Sequence, residues 1–296
     1  MSLLTPQTLP VKVYKWDDVG APVLNRSAGC MMAIFKACLV TGYGTKAAAG
    51  WSLAFEDVAA KVSALRPEQG ANIDFFLRLS ADNGTQVVPQ VYLNMTDAST
   101  GNLKLQCDSP FKYGQGIQTN KWLLIATSRG FWFFNEQRNA GDANKTGSYF
   151  FVGDLARSNT SDRPVYLQHT GGSFDNAFFS SIFGVYQNII QKDTNTYLYG
   201  KLLLSDAATV EVADIRSLTN GWKVETTESY ISDCCVIAGN DLYAVPAIYA
   251  PFSGAKYNNF DVVTIDTSSG SHQAIVFGTS ATASTNTYFT TDEWVY

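Results

Sequence analysis

The stretch KWLLIATSRGFWFFNEQ, residues 121 to 137, restricts the possible folds of this chain more than any other. Trp122 to Thr127 is a run of β-favouring residues, Ser128-Arg129-Gly130 supplies a short connection whose glycine can take positive φ, and Phe131 to Phe134 begins a second run. That is the pattern of a β-hairpin. Side chains alternate across a strand, so Trp122, Leu124 and Ala126 share one face and Leu123 and Ile125 the other. Phe131 and Phe133 likewise oppose Trp132 and Phe134. Both faces are apolar. A sheet with one wet side would alternate apolar and polar residues, so this hairpin requires cover on two sides, from another sheet, a helix or a neighbouring subunit. Trp122, Leu124, Phe131, Trp132, Phe133 and Phe134 are therefore expected in the core. The competing use of such a hairpin is an aromatic platform for stacking sugars or bases.

A chain of 296 residues can bury that much surface, as one large domain or two ordinary ones. Only 16% of its residues are charged and 46% are hydrophobic, with many aromatics, which suits a β-rich globular protein and hints that partners cover part of it. The formal net charge of −5 gives no overall attraction for phosphate backbones or acidic lipid, so nucleic acid is not an expected partner. The longest apolar stretch, CMMAIFKACLV, contains Lys36 and falls far short of the roughly 20 residues that span a bilayer, so no membrane segment is expected. The amino-terminal residues lack the basic start and unbroken apolar core of a secretory signal. The five cysteines are odd in number, and Cys234 and Cys235 are adjacent, which fits free thiols in a reducing cytoplasm.

Along the chain, residues 1–26 carry Pro6, Pro10 and Pro22 among short apolar pieces and read as an extended arm. Ser27 opens a helical pattern in which Cys30, Met31, Ile34, Phe35, Cys38 and Leu39 form one stripe, and Gly42 ends it. Apolar residues on its back predict a helix over about 27–41 that is deeply buried, with Ile34 and Phe35 in the core. From Val62 the period changes to two, through KVSALRP, IDFFLRLSA, QVVPQVYLNM, the hairpin and GSYFFVGD. The polar run ARSNTSDRP, 156 to 164, reads as a boundary. Beyond it VYLQH, TYLYGKLLL, ATVEVADI, WKVETTESYI, DLYAVPAIY, FDVVTIDT and HQAIVFG are short strands, while NAFFSSIFGVYQNIIQK is ambiguous between helix and strand. The expected fold is mainly β, with antiparallel sheets in barrel-like or sandwich lobes and one buried amino-terminal helix. Its expected organisation is an arm at 1–26, a helix-plus-sheet lobe at 27–157 and a second β-rich lobe at 165–296.

Catalytic constellations are not evident. His169 and His272 have no His or Cys at metal-ligand spacing, and Cys234-Cys235 lacks the C-x-x-C interval, so neither a metal nor a cofactor is expected. TGYGTKAAAG has a Gly-x-Gly-Thr-Lys, but with the wrong interval for a phosphate loop and after a helix instead of a strand, so it reads as helix stop and turn. GGSFD lacks the second glycine of a nucleophile elbow. The acid pairs Asp17-Asp18, Glu56-Asp57 and Asp292-Glu293 are adjacent, and adjacent residues of a strand point apart, whereas glycoside hydrolysis needs two carboxylates facing one bond.

Three blocks carry a resemblance: VYKWDDVGAPVLNRSAGCMMAIFKACLVTGYGTKAAAGW, KWLLIATSRGFWFFNEQ continuing to YFFVGDL, and LYAVPAIYAPF. With them the chain resembles a family of virion structural proteins of tailed bacteriophages and prophages. The likeness runs over nearly the whole chain, is most specific in the first block and is poor over 165 to 235. It brings no catalytic residues with it. It implies a non-enzymatic structural or accessory subunit of a virion, on the tail, at the neck or decorating the head, made in the cytoplasm of a host bacterium. Its implied partners are other virion proteins and further copies of itself. The alternative is a host-recognition module that binds a surface glycan, and the third reading is a glycosidase-type virion enzyme. Val11, Tyr14 and Trp16 near one end and Trp294 and Tyr296 at the other are the expected assembly contacts, because aromatic residues at chain ends need a surface to cover them.

Overall fold

The computed structural model describes residues 8–69, 73–107, 110–113, 117–138, 145–157, 164–169, 200–204, 206, 208–212, 216–217, 231–238, 241–251, 257, 259–267, 270–278 and 286–296. The protein is mainly β, built of antiparallel sheets with one short helix, and no sheet closes into a barrel among these residues. The hairpin lies at its centre. Strands Ile117–Ala126 and Gly130–Arg138 pair with Phe131 opposite Ala126 and Phe134 opposite Leu123. Around them a seven-stranded sheet adds Lys12–Lys15 on one side and Lys145–Asp154, Val165–His169, Gly200–Leu203 and Thr209–Val212 on the other.

This central sheet is covered on both faces, as its apolar alternation requires. Trp122, Leu124, Phe131 and Phe133 face one core, shared with the helix and with a helix-side sheet of Ser52–Asp57, Val62–Arg66, Phe76–Ser80, Gln86–Leu93, Asn102–Gln106 and Phe111–Lys112. Leu123, Ile125, Trp132 and Phe134 face a second core against a carboxyl-terminal sheet, to which Asp241–Pro251, Gly270–Gly278 and Asn286–Thr290 contribute Tyr243, Phe277 and Phe289. All eight residues expected in the core are buried. Trp132 is sandwiched with Phe151 at 4.7 Å and Phe289 at 5.2 Å, and its indole N–H donates to Pro246 O at 3.2 Å. The sugar-platform use of this hairpin is thereby overturned, because a ring packed on protein from both sides offers no face to a ligand.

The turn differs from its expected form. Gly130 does not take positive φ but begins the second strand, where a Cβ would stand 3.0 Å from the Gly153 Cα of the neighbouring strand. Glycine is needed there for close approach of two backbones.

The helix is shorter than 27–41. It runs Cys30–Lys36, and a π-helical turn, Ala37–Thr41, carries it to Gly42 at φ 75°. Ser27 does not cap it; its hydroxyl donates to Asn25 Oδ1. Instead Asp82, from the turn after Phe76–Ser80, accepts the Met32 N–H on Oδ2 at 3.0 Å and the Gly29 N–H on its carbonyl at 3.0 Å. At the other end the carbonyls of Cys38 and Leu39 accept from the amides of Ala49 and Trp51 as the chain returns. At each helix end some of the unpaired groups are thus satisfied by distant backbone and side chains. Phe35 meets Phe131, Phe133 and Phe150 at 5.1, 5.2 and 5.8 Å, which fixes the helix on the central sheet.

Two expectations about organisation are corrected. The run at 156 to 164 does not divide two sheets: Lys145–Asp154 pairs with Val165–His169 across it, Asp154 opposite Val165, and the central sheet draws strands from both sides. A polar loop between paired strands and a polar linker between domains have the same composition, so sequence alone does not separate them. Likewise residues 8–16 are not a free arm. Thr8–Pro10 pairs with Glu293–Val295, and Lys12–Lys15 pairs with Ile117–Ala126. The ambiguous stretch NAFFSSIFGVYQNIIQK lies outside the described residues.

Candidate assembly surface

The five residues expected to make assembly contacts face inward. Tyr14, Trp294 and Tyr296 are buried and Val11 and Trp16 are half-buried. Tyr14 gives its hydroxyl to Ala47 O at 2.8 Å, and burial pushes its ionisation well above the ordinary tyrosine value. Trp16 packs on Phe260 at 4.8 Å with the Lys121 ammonium 5.2 Å from its ring. Trp294 donates to Thr290 O at 3.3 Å, and the Tyr296 hydroxyl stands 2.9 Å from Thr127 Oγ1 in the hairpin turn. The physical reason for the correction is pairing: two terminal strands that find partners within the chain bury the aromatic residues that would otherwise need a neighbour. Along the outer edge of Lys12–Lys15, Lys46 donates to Val13 O at 3.0 Å and the Lys15 N–H donates to Asp18 Oδ2 at 2.8 Å.

The hairpin turn is an internal fastening. Arg129 and Asp154 are both buried; Arg129 Nε and Nη2 donate to Asp154 Oδ2 and Oδ1 at 2.7 and 2.9 Å, Nη2 to Ile73 O at 3.0 Å, and Nη1 to Glu68 O. Trp51 Nε1 donates to Thr127 O at 3.0 Å. One turn therefore ties together the central sheet, the helix-side sheet and the last residue.

What faces outward is the loop between Lys15 and Cys30. Val19 is 85% exposed and Val23 59%. The loop is nevertheless held firmly. Asp18 Oδ2 accepts from the Lys15 N–H and the Tyr43 hydroxyl, each at 2.8 Å, and Lys46 Nζ lies 3.4 Å from Oδ1. Burial pushes the Asp18 carboxyl up, but those hydrogen bonds and the Lys46 charge outweigh it and hold it below the usual carboxylate range. Asp18 is thus an internal strut, while its neighbour Asp17 is exposed and makes no ion pair among the described residues. A Cβ on Gly44 would lie 2.1 Å from Val19 O, so only glycine admits the loop against the turn after the helix. Trp122 Nε1 donates to Pro22 O at 3.1 Å, and Leu24 is buried. The valines were missed from sequence because a loop has no period to read; Gly20 and Pro22 between them signal a turn but not which way its side chains point.

Among the described residues no three His, Cys, Asp or Glu groups stand together as metal ligands, and no helix is long and apolar enough to cross a membrane. His272 Nδ1 lies 2.9 Å from Asp292 Oδ2, where it fixes the corner that leads into the last strand. Ser173 of GGSFD lies outside the described residues. Comparison with protein-family models, with curated proteins and with solved structures finds no match for this chain.

Proposed function

We propose that this protein is a non-enzymatic structural or accessory subunit of a tailed-bacteriophage virion, on the tail, at the neck or on the head, that works by protein–protein assembly with other virion proteins and with copies of itself. The observation that carries this reading is the loop holding Val19 and Val23 in water on a rigid support. Scattered exposed valines are ordinary, but here their loop is hydrogen-bonded and sterically locked, so a partner loses little conformational entropy in docking on it. The sequence resemblance and the mainly β architecture support the same reading. The experiment is mass spectrometry of purified particles of the phage or prophage that encodes the chain, with wild type and Val19→Asp/Val23→Asp compared. The wild type is expected in the particle and the folded double variant is expected to be depleted. Absence of the wild type from particles refutes the reading.

A further inference from the structure

The helix-side sheet has a second face, turned away from both large cores, on which Phe76, Tyr92 and Met95 form a small cluster of their own. Two arginines lie on it. The Arg66 guanidinium is 5.0 Å from the Phe76 ring centre and that of Arg78 5.9 Å from the Tyr92 ring centre. Arg78 is oriented by Nε donating to Ala98 O at 2.8 Å and Nη1 donating to Gln90 Oε1, and Gln90 passes its own amide hydrogen to Gln106 Oε1. Arg66 has Asp74 at 3.7 Å, whereas no carboxylate pairs with Arg78 among the described residues. Since Ala64 stands opposite Arg78 and Arg66 follows two residues later on the same face, the two residues are diagonal neighbours in the sheet. Leu103, 44% exposed, stands opposite Tyr92 on the next strand and adds apolar surface to this sheet. The ring faces are already occupied by guanidinium groups, so the patch is built for a carboxylate with an apolar neighbour and not for stacking a sugar.

The loop described above carries that combination, with exposed Asp17 beside Val19. We propose that the loop of one copy, through Asp17 and Val19, docks on the Arg66–Arg78 face of the helix-side sheet of a second copy. This rests on the assembly function proposed above and names its partner surface. Leu24 of the loop belongs to the core shared by the inner side of that sheet, while the arginines occupy its outer side, and no hydrogen bond or ion pair joins loop and patch among the described residues. The contact is heterologous, and repetition generates a ring or a filament. A chain with 26 acidic and 21 basic residues repels its copies overall, which makes an arginine without a carboxylate partner a specific point of attraction.

Sedimentation equilibrium of the full chain tests this, with circular dichroism to verify the fold. Wild type is expected to self-associate, more weakly at high salt. Asp17→Arg and Arg78→Glu are each expected to weaken association about tenfold or more, and the charge-swapped pair Asp17→Arg/Arg78→Glu to restore it. Asp17 has no ion pair to lose among the described residues, so its variant keeps the test open if Arg78→Glu fails to fold. Unchanged association of Asp17→Arg, or a swapped pair no better than the single variants, overturns the docking mode. If Val19→Asp/Val23→Asp still abolishes association in that case, assembly through the loop stands and only its receiving surface was wrong. A wild type that stays monomeric at every concentration overturns the docking proposal outright.

Discussion

Replacing Arg129 with methionine isolates what the central fastening contributes. The variant keeps most of the aliphatic volume but takes the guanidinium away from Asp154, which is fully buried, and from the carbonyls of Glu68 and Ile73. Removing one member of a buried ion pair costs about 3–5 kcal/mol, because the other charge stays in a poorly solvated site. At roughly 2 °C per kcal/mol for a chain of this size, the midpoint of thermal unfolding should fall by about 6–10 °C. Urea unfolding followed by tryptophan fluorescence measures the loss directly, and Arg129→Met/Asp154→Asn should recover about 1–3 kcal/mol of it by removing the stranded charge. A loss below about 1 kcal/mol, the range of exposed pairs, would refute the account of this turn as a fastening.

Phe35→Ala should destabilise by about 3–5 kcal/mol, since it empties the contact with three rings of the central sheet; equilibrium unfolding checks it. Deletion of residues 1–16 should give insoluble or unfolded protein, because it removes the partners of Glu293–Val295 and of one side of Ile117–Ala126; a folded, soluble truncation would show the terminal strands to be dispensable. Burial pushes the Cys38 thiol well above its ordinary value and the Asp18 carboxylate adds to this, so iodoacetamide should leave Cys38 unmodified in the native protein and label it on unfolding, read by peptide mass spectrometry. The lowered Asp18 carboxyl contributes stability above the ordinary carboxylate value of about 3.9 that is lost as pH falls through the folded value, and Asp18→Asn should abolish that part of the acid dependence and speed protease cleavage within 17–28.

Local pattern was enough for the β class, the hairpin, its two buried faces and the helix stripe, because alternation by two and spacing by three and four are properties of neighbouring residues and declare which side chains leave water. Trp132 and Phe133 point into different cores for that reason alone. Long-range pairing had to decide the rest. Whether Tyr14 and Trp294 seek a neighbour or their own chain depends on whether strands at the two ends find partners, and Thr8 meets Val295 only once the sheets exist. The helix begins at Cys30, not Ser27, because Asp82 arrives from the turn after Phe76–Ser80 to take the Met32 amide. Arg129 looks like a turn residue until Asp154 stands beside it, and the polarity of 156 to 164 is silent on whether the strands around it pair. Val19 is another valine in the sequence; only the folded loop, wedged against Gly44 and tied through Asp18, leaves it facing water.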